Sequence, residues 1–383
     1  MERDFLLSCI GGECTINRTC ATYSTMRIRR IIIPFLLSIT SICVLFVVLE
    51  LGMRIFKPQK YFAISVNQWD RHVGTKQIPG IKGFIICPEY EIDLTINSKG
   101  LRDKEYPYRK PPGTRRILCL GDSYTCGYGV QAEETFVKVL EVHLNEQESR
   151  SNRWEVLNAG IGSTGTANQL ALFETECYKY EPDLVVLLFC QTNDYYDNLT
   201  CGLYSLKDGI LIKHDAPRTA PRKIQKIVYR IPGYTTFFAR SHLLNYLKYR
   251  LSVTHRNRLT ESCTQNVSTN NIAERYNTLT KHLISALGRA CNEKNSRLIA
   301  MFIPVHPSMR GLPKTTELVE HCSAQGISCL DLEPHLREAD EKNIQTSHLL
   351  DGHWNATGHR LVAHALYDFL VEQSLLGEVI IQE

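Results

Sequence analysis

The sequence has 383 residues, of which 43% are hydrophobic and 22% are charged, and its net charge is +4. This composition is typical of a globular protein with a core, and the length allows one large domain or two small ones. The small net charge and the lack of a zinc finger or RNA-recognition motif exclude a nucleic-acid-binding protein. The 14 cysteines show no paired CxxC spacing, so no zinc site is predicted.

An uncharged apolar segment near the amino end predicts a membrane anchor. Residues 31–49 contain no charged side chain, and as a helix they would span about 28 Å, close to the hydrocarbon thickness of a bilayer. Three arginines between residues 27 and 30 favour a cytoplasmic amino end. We therefore predict a cytoplasmic head over residues 1–30, an uncleaved anchor over residues 31–53, and a periplasmic or extracellular location for the rest. A removed signal peptide is the alternative, which the lack of a small-x-small cleavage site after the segment disfavours.

Residues 54–114 are interpreted as a linker with accessory strands. The segment FIICPEYEIDLTIN predicts a pair of strands, and KPPGT is typical of a break before another domain. The main domain is predicted over residues 115–383.

From residue 115 onwards, short apolar runs alternate with amphipathic segments. Strands are predicted in RRILCLGDS, WEVLNAG, PDLVVLLFC, SRLIAMFIPV and ISCLDL. Helices are predicted in ETFVKVLEVHLNEQ, TANQLALFETECYKY, IAERYNTLTKHLISALGRACNEK, KTTELVEHCSAQG and NATGHRLVAHALYDFLVEQ. This alternation predicts an α/β domain, a three-layer α/β/α sandwich with a mainly parallel sheet.

An insertion over residues 197–268 interrupts the alternation. SLKDGILIKH predicts a hairpin that turns at Asp208 and Gly209. Residues 216–260 contain ten Lys or Arg and no Asp or Glu. This basic segment predicts contact with an anionic glycan or with lipid headgroups, and a solvated basic surface is the alternative.

The first chemical motif is Gly121-Asp122-Ser123-Tyr124, directly after an apolar strand. A serine at such a strand-to-helix turn is exposed at the sheet edge, where it can act as a nucleophile. The alternative is a turn in which Ser123 is the N-cap residue of the helix.

Two further polar motifs follow predicted strands. Asn158 begins NAGIGSTG, which includes Gly162 and Ser163, and QTND places Asn193 and Asp194 after the third strand. Because the carboxyl ends of parallel strands meet at one edge of a sheet, we expect these residues to lie near Ser123. Ordinary turns are the alternative for both motifs.

The last motif, DGHWN, precedes the final predicted helix. We expect Asp351 and His353 to point the same way because they lie two residues apart in extended chain, so that the carboxylate can hold the imidazole. His348 and His359 are rival candidates for the base.

Together these four motifs, in this order, resemble the blocks of the SGNH/GDSL hydrolase family, over roughly residues 115–372. The resemblance implies a flavodoxin-like fold with Ser123 as nucleophile, His353 as general base and Asp351 as its orienting acid. It also implies an oxyanion hole formed by the backbone N–H groups of Ser123 and Ser163 and by the Asn193 side chain. Ser163 stands where the family has glycine.

Two departures from the family pattern matter for function. Gln191 replaces a glycine and is expected to narrow the pocket. The DxH spacing differs from the usual DxxH and resembles membrane-linked proteins similar to alginate O-acetyltransferases. The resemblance to the SGNH/GDSL family implies a serine esterase that acts on an acetyl or other ester of a glycan or lipid and needs no cofactor. An O-acyltransferase and a catalytically silent glycan-binding protein are the alternatives.

The residues that flank the catalytic motifs are predicted to contact the substrate. They are Asp122, Tyr124, Gly162, Asp194 and Trp354.

Overall fold

The computed structural model describes residues 19–147, 153–216, 231, 233–234, 238–251, 269–304 and 315–376. The chain divides into two compact units, Met1–Gln59 and Lys60–Glu383. The accessory strands therefore lie in the same unit as the main domain.

The first unit contains one long helix, α1, over Thr19–Phe56. Its segment Ile32–Phe56 is 25 residues long with a mean hydropathy of 2.8, and its apolar side chains are exposed. About 37 Å of helix suffices to cross a hydrocarbon core of about 30 Å. Among the described residues this one helix is long and apolar enough to span a membrane, which is consistent with a single-pass anchor.

A five-stranded parallel sheet forms the centre of the second unit, within the described residues. Its strands are β6 Thr114–Gly121, β7 Arg153–Gly160, β8 Leu184–Cys190, β11 Arg297–Ile303 and β12 Ser328–Asp331. The spatial order is β12-β11-β8-β6-β7, so the first two core strands exchange places as in flavodoxin-like folds. Each strand coincides with a predicted one, and the predicted fold class is confirmed.

Helices cover both faces of this sheet. One face packs against α4 Thr166–Thr175, α6 Thr269–Glu293 and α7 Thr315–Ala324. The other face packs against α3 Phe136–Gln147, α8 Glu333–Glu341 and α9 Ala356–Glu372. The alternation of side chains along β6 shows why both layers are needed, because Leu118 belongs to the first core and Ile117 to the second.

Five short strands precede the main domain. They are β1 Phe62–Ala63, β2 Asn67–Asp70, β3 Gly74–Gln77, β4 Lys82–Cys87 and β5 Tyr90–Thr95. β4 and β5 form the antiparallel pair predicted from the sequence, and β1 joins the edge of β4. Their own small core contains Val66, Ile85, Ile92, Leu94 and Ile96.

The insertion begins inside α5 Asp194–Thr200 and continues into a hairpin of β9 Tyr204–Lys207 and β10 Ile210–Lys213. Asp208 and Gly209 form its turn with φ of 52° and 76°, as predicted from the sequence. A further helix covers residues 242–251. The basic segment over residues 216–260 lies mostly outside the described residues, so its binding role stays a prediction.

Candidate active site

The nucleophile candidate lies directly after the carboxyl end of strand β6. β6 ends at Gly121, and Ser123 begins the short helix α2, Ser123–Cys126. Asp122 caps this helix by accepting a hydrogen bond from the backbone N–H of Tyr124 at 2.9 Å. Gly160, at the end of β7, allows the turn to pack closely, since a Cβ there would lie 2.2 Å from the Cys126 nitrogen. Ser123 is thereby held partly exposed at the sheet edge.

Ser123, His353 and Asp351 form one continuous chain of hydrogen bonds. His353 Nε2 lies 2.8 Å from the Ser123 hydroxyl oxygen, and His353 Nδ1 lies 2.6 Å from Asp351 Oδ2. Because Asp351 accepts from Nδ1–H, the Nε2 atom of the neutral ring is free to accept the serine proton. This geometry is that of a nucleophile, a general base and an orienting acid.

The backbone between the acid and the base differs from the extended chain predicted for DxH. Gly352 has a φ of +83°, in the left-handed region, and the loop turns there. The expected contact between Asp351 and His353 therefore occurs, but the expected reason for it is wrong. A glycine turn, not strand alternation, brings the carboxylate to the imidazole.

The two rival histidines have other partners. His359 is fully buried, and its Nδ1 accepts a hydrogen bond from the Phe136 N–H at 3.1 Å. Burial, with the nearby Arg102 charge, lowers the pKa of His359 to about 3, so it stays neutral at ordinary pH. His348 Nε2 lies 3.0 Å from the carbonyl oxygen of Gly129. Of the three histidines, His353 is the one hydrogen-bonded to Ser123.

Two of the three oxyanion-hole candidates, Ser163 and Asn193, have an unusual conformation or competing hydrogen-bond partners. Ser163 is exposed and adopts a φ of +63° just beyond β7, so a non-glycine residue occupies the left-handed conformation there. The Asn193 amide nitrogen lies 3.0 Å from Asp122 Oδ2, 3.3 Å from Asp194 Oδ1 and 3.2 Å from Asp197 Oδ2. To stabilise an oxyanion, Asn193 would have to redirect one N–H from these carboxylates.

Four of the five residues predicted to contact substrate are buried. Asp122, Asp194 and Trp354 are at most 2% exposed, and Gly162 is also buried. Substrate contact by these residues stays a prediction. Of the five, Tyr124 is the one that is partly exposed, beside the His353 ring, with ring centroids 5.1 Å apart.

The buried residues make contacts within the protein. Trp354 packs against Tyr124 in the core, and Asp194 accepts from the Cys190 N–H at 3.0 Å. Burial raises the pKa of Asp122, and burial and the neighbouring carboxylates raise the pKa of Asp194 well above its ordinary value. At Gly162 a Cβ would lie 2.4 Å from the Tyr128 hydroxyl, so the glycine makes room for that ring.

Gln191 does not line the pocket as expected. It is fully buried, and its amide donates to the Thr315 hydroxyl at 2.7 Å. The side chain that replaces the family glycine is therefore accommodated in the protein interior.

Sequence reasoning missed the contribution of the accessory strands to the site. The Tyr90 hydroxyl donates to Asp351 Oδ2 at 2.6 Å, and Glu89 accepts hydrogen bonds from the loop that carries Asp351. These contacts join residues about 260 positions apart, and no local pattern in the sequence indicates them.

Other accessory residues hold the first two motifs. Arg102 is buried and donates to the carbonyl oxygens of Cys126 and Gly127, at the end of the nucleophile helix. Asn67 donates to the carbonyl oxygen of Gly162 at 3.1 Å. The accessory segment is therefore a structural part of the site.

Among the described residues, no group of three or more His, Cys, Asp or Glu side chains is arranged to hold a metal ion. The arrangement around Ser123 is suited to acyl transfer through a serine ester, a reaction that the side chains themselves can carry.

A family model described as GDSL-like lipase/acylhydrolase matches residues 117–366. The chain belongs to this family. Members are acylhydrolases, so the protein is an enzyme that acts on carboxylic ester bonds. The match includes Ser123, Ser163, Asn193, Asp351 and His353. None of the curated proteins matches the chain.

Solved structures of esterases are similar to this chain at low identity. A two-domain esterase active on acetylated mannans is 14% identical, with a TM-score of 0.40 over 68% of this chain and 49% of that one. A lipase/acylhydrolase from Enterococcus faecalis is 16% identical, with a TM-score of 0.36 over 68% and 96%. An acetyl-xylooligosaccharide esterase from Geobacillus is 13% identical, with a TM-score of 0.38 over 67% and 94%. The chain thus spans about half of the mannan esterase and almost all of the other two.

Proposed function

We propose that the protein is a membrane-anchored serine esterase that hydrolyses acetyl or similar esters of a glycan or lipid outside the cytoplasm. Ser123 attacks the ester carbonyl, His353 removes the serine proton and later returns it to the leaving alcohol, and Asp351 stabilises the imidazolium. Water then attacks the acyl-serine, with His353 again acting as base. The observation that carries this proposal is the hydrogen-bond chain from Ser123 through His353 to Asp351.

The tetrahedral oxyanion would be bound by the backbone N–H groups of Ser123 and Ser163 and by the Asn193 amide. Loss of one such donor costs about 10²–10³ in turnover. Because the Asn193 amide is near three carboxylates in the free enzyme, its contribution requires the amide to reorient when substrate binds.

The direct test is reaction of the full chain with a fluorophosphonate probe and with p-nitrophenyl acetate. Ser123→Ala should abolish labelling and lower ester hydrolysis by about 10⁴-fold or more. Ser205→Ala is a matched control, because the Ser205 hydroxyl also lies 2.7 Å from a histidine nitrogen, that of His214. Full esterase activity in Ser123→Ala would refute the proposal, and an unlabelled native protein would favour a silent binding protein.

Transfer of the acyl group to a sugar hydroxyl is the second candidate function. It is favoured by the DxH spacing of Asp351 and His353, which resembles membrane-linked proteins similar to alginate O-acetyltransferases. The same acyl-serine would form, and a sugar hydroxyl would replace water as the second nucleophile. Incubation with an acyl donor and a glycan distinguishes the two, since only transfer yields an acylated glycan by mass spectrometry.

The proposed location rests on the apolar segment of α1 and on the charges around it. Three arginines between residues 27 and 30 precede the segment, whereas Arg54, Lys57 and Lys60 follow it, so the bias towards a cytoplasmic amino end is moderate. Protease added to spheroplasts, in which the outer envelope is opened and the cytoplasmic membrane is intact, should digest the catalytic unit. Protection of this unit until the membrane is opened would place it in the cytoplasm instead.

Contact of the basic segment with an anionic glycan or lipid is proposed from charge alone. Its ten cationic residues over 216–260 would be attracted to anionic headgroups. Binding of residues 60–383, which lack the apolar anchor, to anionic vesicles should weaken steeply with salt, and equal binding to neutral vesicles would contradict the proposal.

A further inference from the structure

We propose that Tyr90, on the accessory hairpin, is a positioning residue that sets the strength of the His353 base through Asp351, and that Glu89 fixes the loop carrying both. This inference rests on the proposed function, since it assigns a role within the same triad.

Tyr90 and His353 share one oxygen atom of Asp351. The Tyr90 hydroxyl lies 2.6 Å from Asp351 Oδ2, and His353 Nδ1 lies 2.6 Å from the same atom. Tyr90 begins strand β5, and its ring packs 4.7 Å from that of His348, on the same loop as Asp351. The hairpin thus places a second donor on the carboxylate that orients the base.

Glu89 binds the backbone of the same loop. Its Oε1 atom accepts from the Leu349 N–H at 2.6 Å. Its Oε2 atom accepts from Leu350 at 2.8 Å and from Asp351 at 3.2 Å. Three successive N–H groups are therefore tied to one carboxylate immediately before the catalytic acid, in a loop whose side chains at Leu349 and Leu350 are exposed.

Because Tyr90 and His353 share Asp351 Oδ2, Tyr90 is predicted to weaken His353 as a base. Each hydrogen bond to Asp351 withdraws part of its negative charge, so the Tyr90 hydroxyl leaves less charge to stabilise protonated His353. Burial alone would raise the pKa of Asp351, but hydrogen bonds from His353 and Tyr90 keep it below its ordinary value. Burial and the Asp351 charge raise the pKa of Tyr90, so the hydroxyl keeps its proton and remains a donor.

Removal of the Tyr90 hydroxyl would leave the other titratable side chains around Tyr90 and Asp351 in place. Those that act on Asp351, His353 or Tyr90 are Tyr61, Cys87, Asp122, Tyr124, His348 and His359.

The test is Tyr90→Phe in the full chain, with the rate of Ser123 labelling by a fluorophosphonate measured against pH, and with kcat and KM for p-nitrophenyl acetate. We expect kcat to fall about ten-fold because Asp351, and with it the His353 ring, is held less firmly, with KM changed less than about two-fold. The acidic limb of both pH profiles should move to higher pH, because without Tyr90 the Asp351 carboxylate keeps more charge to stabilise the protonated ring.

Tyr204→Phe is the matched control. Its hydroxyl also donates to a carboxylate, Glu174 Oε2 at 3.3 Å, but it lies on the hairpin of the insertion. Tyr204→Phe should leave kcat, KM and the pH profile unchanged. If Tyr90→Phe behaves like Tyr204→Phe, or loses activity without moving the acidic limb, the tuning role is refuted.

Glu89→Gln provides a second variant if Tyr90→Phe does not fold. Loss of the carboxylate should lower kcat several-fold at nearly constant KM, whereas unchanged kcat would refute the role of Glu89 in fixing the loop. Native protein that fluorophosphonate does not label would overturn the proposed function and this inference together. Labelled native protein with no effect of either variant would overturn this inference alone.

Discussion

Asp351 and His353 are hydrogen-bonded at 2.6 Å although a single residue, Gly352 at φ +83°, separates them. The contact depends on that backbone conformation, because it turns both side chains towards one another. An L residue other than glycine in this region costs about 1–2 kcal/mol.

Gly352→Ala should therefore lower both stability and activity. A Cβ at Gly352 would meet no atom within 4 Å, so the effect isolates backbone strain from steric clash. We expect a lower melting temperature and a clearly reduced kcat on p-nitrophenyl acetate. Gly209→Ala is the control, because Gly209 also has a positive φ, 76°, and open space, but lies in the turn of the insertion hairpin. Equal kcat in the two variants would contradict the role of Gly352.

Substitution of His353 should abolish most of the activity, whereas substitution of His359 should leave the pH profile of kcat unchanged. His353→Asn should lower kcat by several orders of magnitude, as expected on loss of a triad base. His359→Asn retains an acceptor for the Phe136 N–H and should keep the native pH profile of kcat. A loss of the acidic limb in His359→Asn would identify it as the base and refute the role of His353.

The low pKa of His359 also predicts how stability depends on pH. Its folded pKa of about 3 lies below the ordinary value of 6.5, so the unfolded chain binds the extra proton between these values. The native protein should lose stability as pH falls through this window, by up to about 1.4 kcal/mol per pH unit from this group. Urea denaturation at pH 7 and 5 should show a smaller loss for His359→Asn than for the native chain.

Core strands and motif order could be predicted from sequence because their signals are local. The run LVVLLFC of β8 is apolar on both faces, as expected for a central parallel strand. Asp208-Gly209 specifies the turn between β9 and β10 through positive φ. Ser123 was indicated by its position directly after such a strand. These features depend on a few neighbouring residues.

Other parts of the molecule gave no such signal. Helix α8, Glu333–Glu341, was missed because most of its residues are polar and its single fully buried side chain is Ala339. The contact of Tyr90 with Asp351 depends on packing between segments far apart in sequence. The burial of Trp354 could not be predicted, because proximity to His353 in sequence does not reveal which side of the loop faces the core.

Ser163 provides a test of a backbone role in the oxyanion hole. Its φ of +63° is unfavourable for serine, and glycine would relieve this strain while making the unfolded chain more flexible. Ser163→Gly should therefore change the free energy of unfolding by less than about 1 kcal/mol and retain activity, since the N–H remains. A 10²-fold loss of kcat in Ser163→Gly would show that the side chain, rather than the backbone, acts on the substrate.

The buried ion pair of Arg116 and Glu155 should affect stability without affecting chemistry. Arg116 Nε lies 2.8 Å from Glu155 Oε2, and both side chains are at most 8% exposed. The pair lies near the amino ends of β6 and β7, opposite the edge that carries Ser123. Glu155→Gln leaves the guanidinium without its counter-charge and should destabilise the fold by about 3–5 kcal/mol. Below the lowered melting temperature, kcat should equal the native value. A large kcat defect in folded Glu155→Gln would show that this edge influences the site.

Separation of the anchor from the catalytic unit is predicted to leave the chemistry intact. Residues 60–383 form a compact unit of their own, and every hydrogen bond described for the triad, Tyr90 and Glu89 lies within it. A chain of residues 60–383 should therefore fold and keep the kcat and KM of the full chain on p-nitrophenyl acetate. The full chain should remain with membranes after a high-salt or carbonate wash, because its apolar segment of 25 residues is retained by burial of hydrocarbon surface and not by charge.

A chain of residues 115–383 tests the accessory strands, since it lacks Tyr90, Glu89 and Arg102. It should be inactive or unfolded, and native activity in it would show that the accessory strands are dispensable.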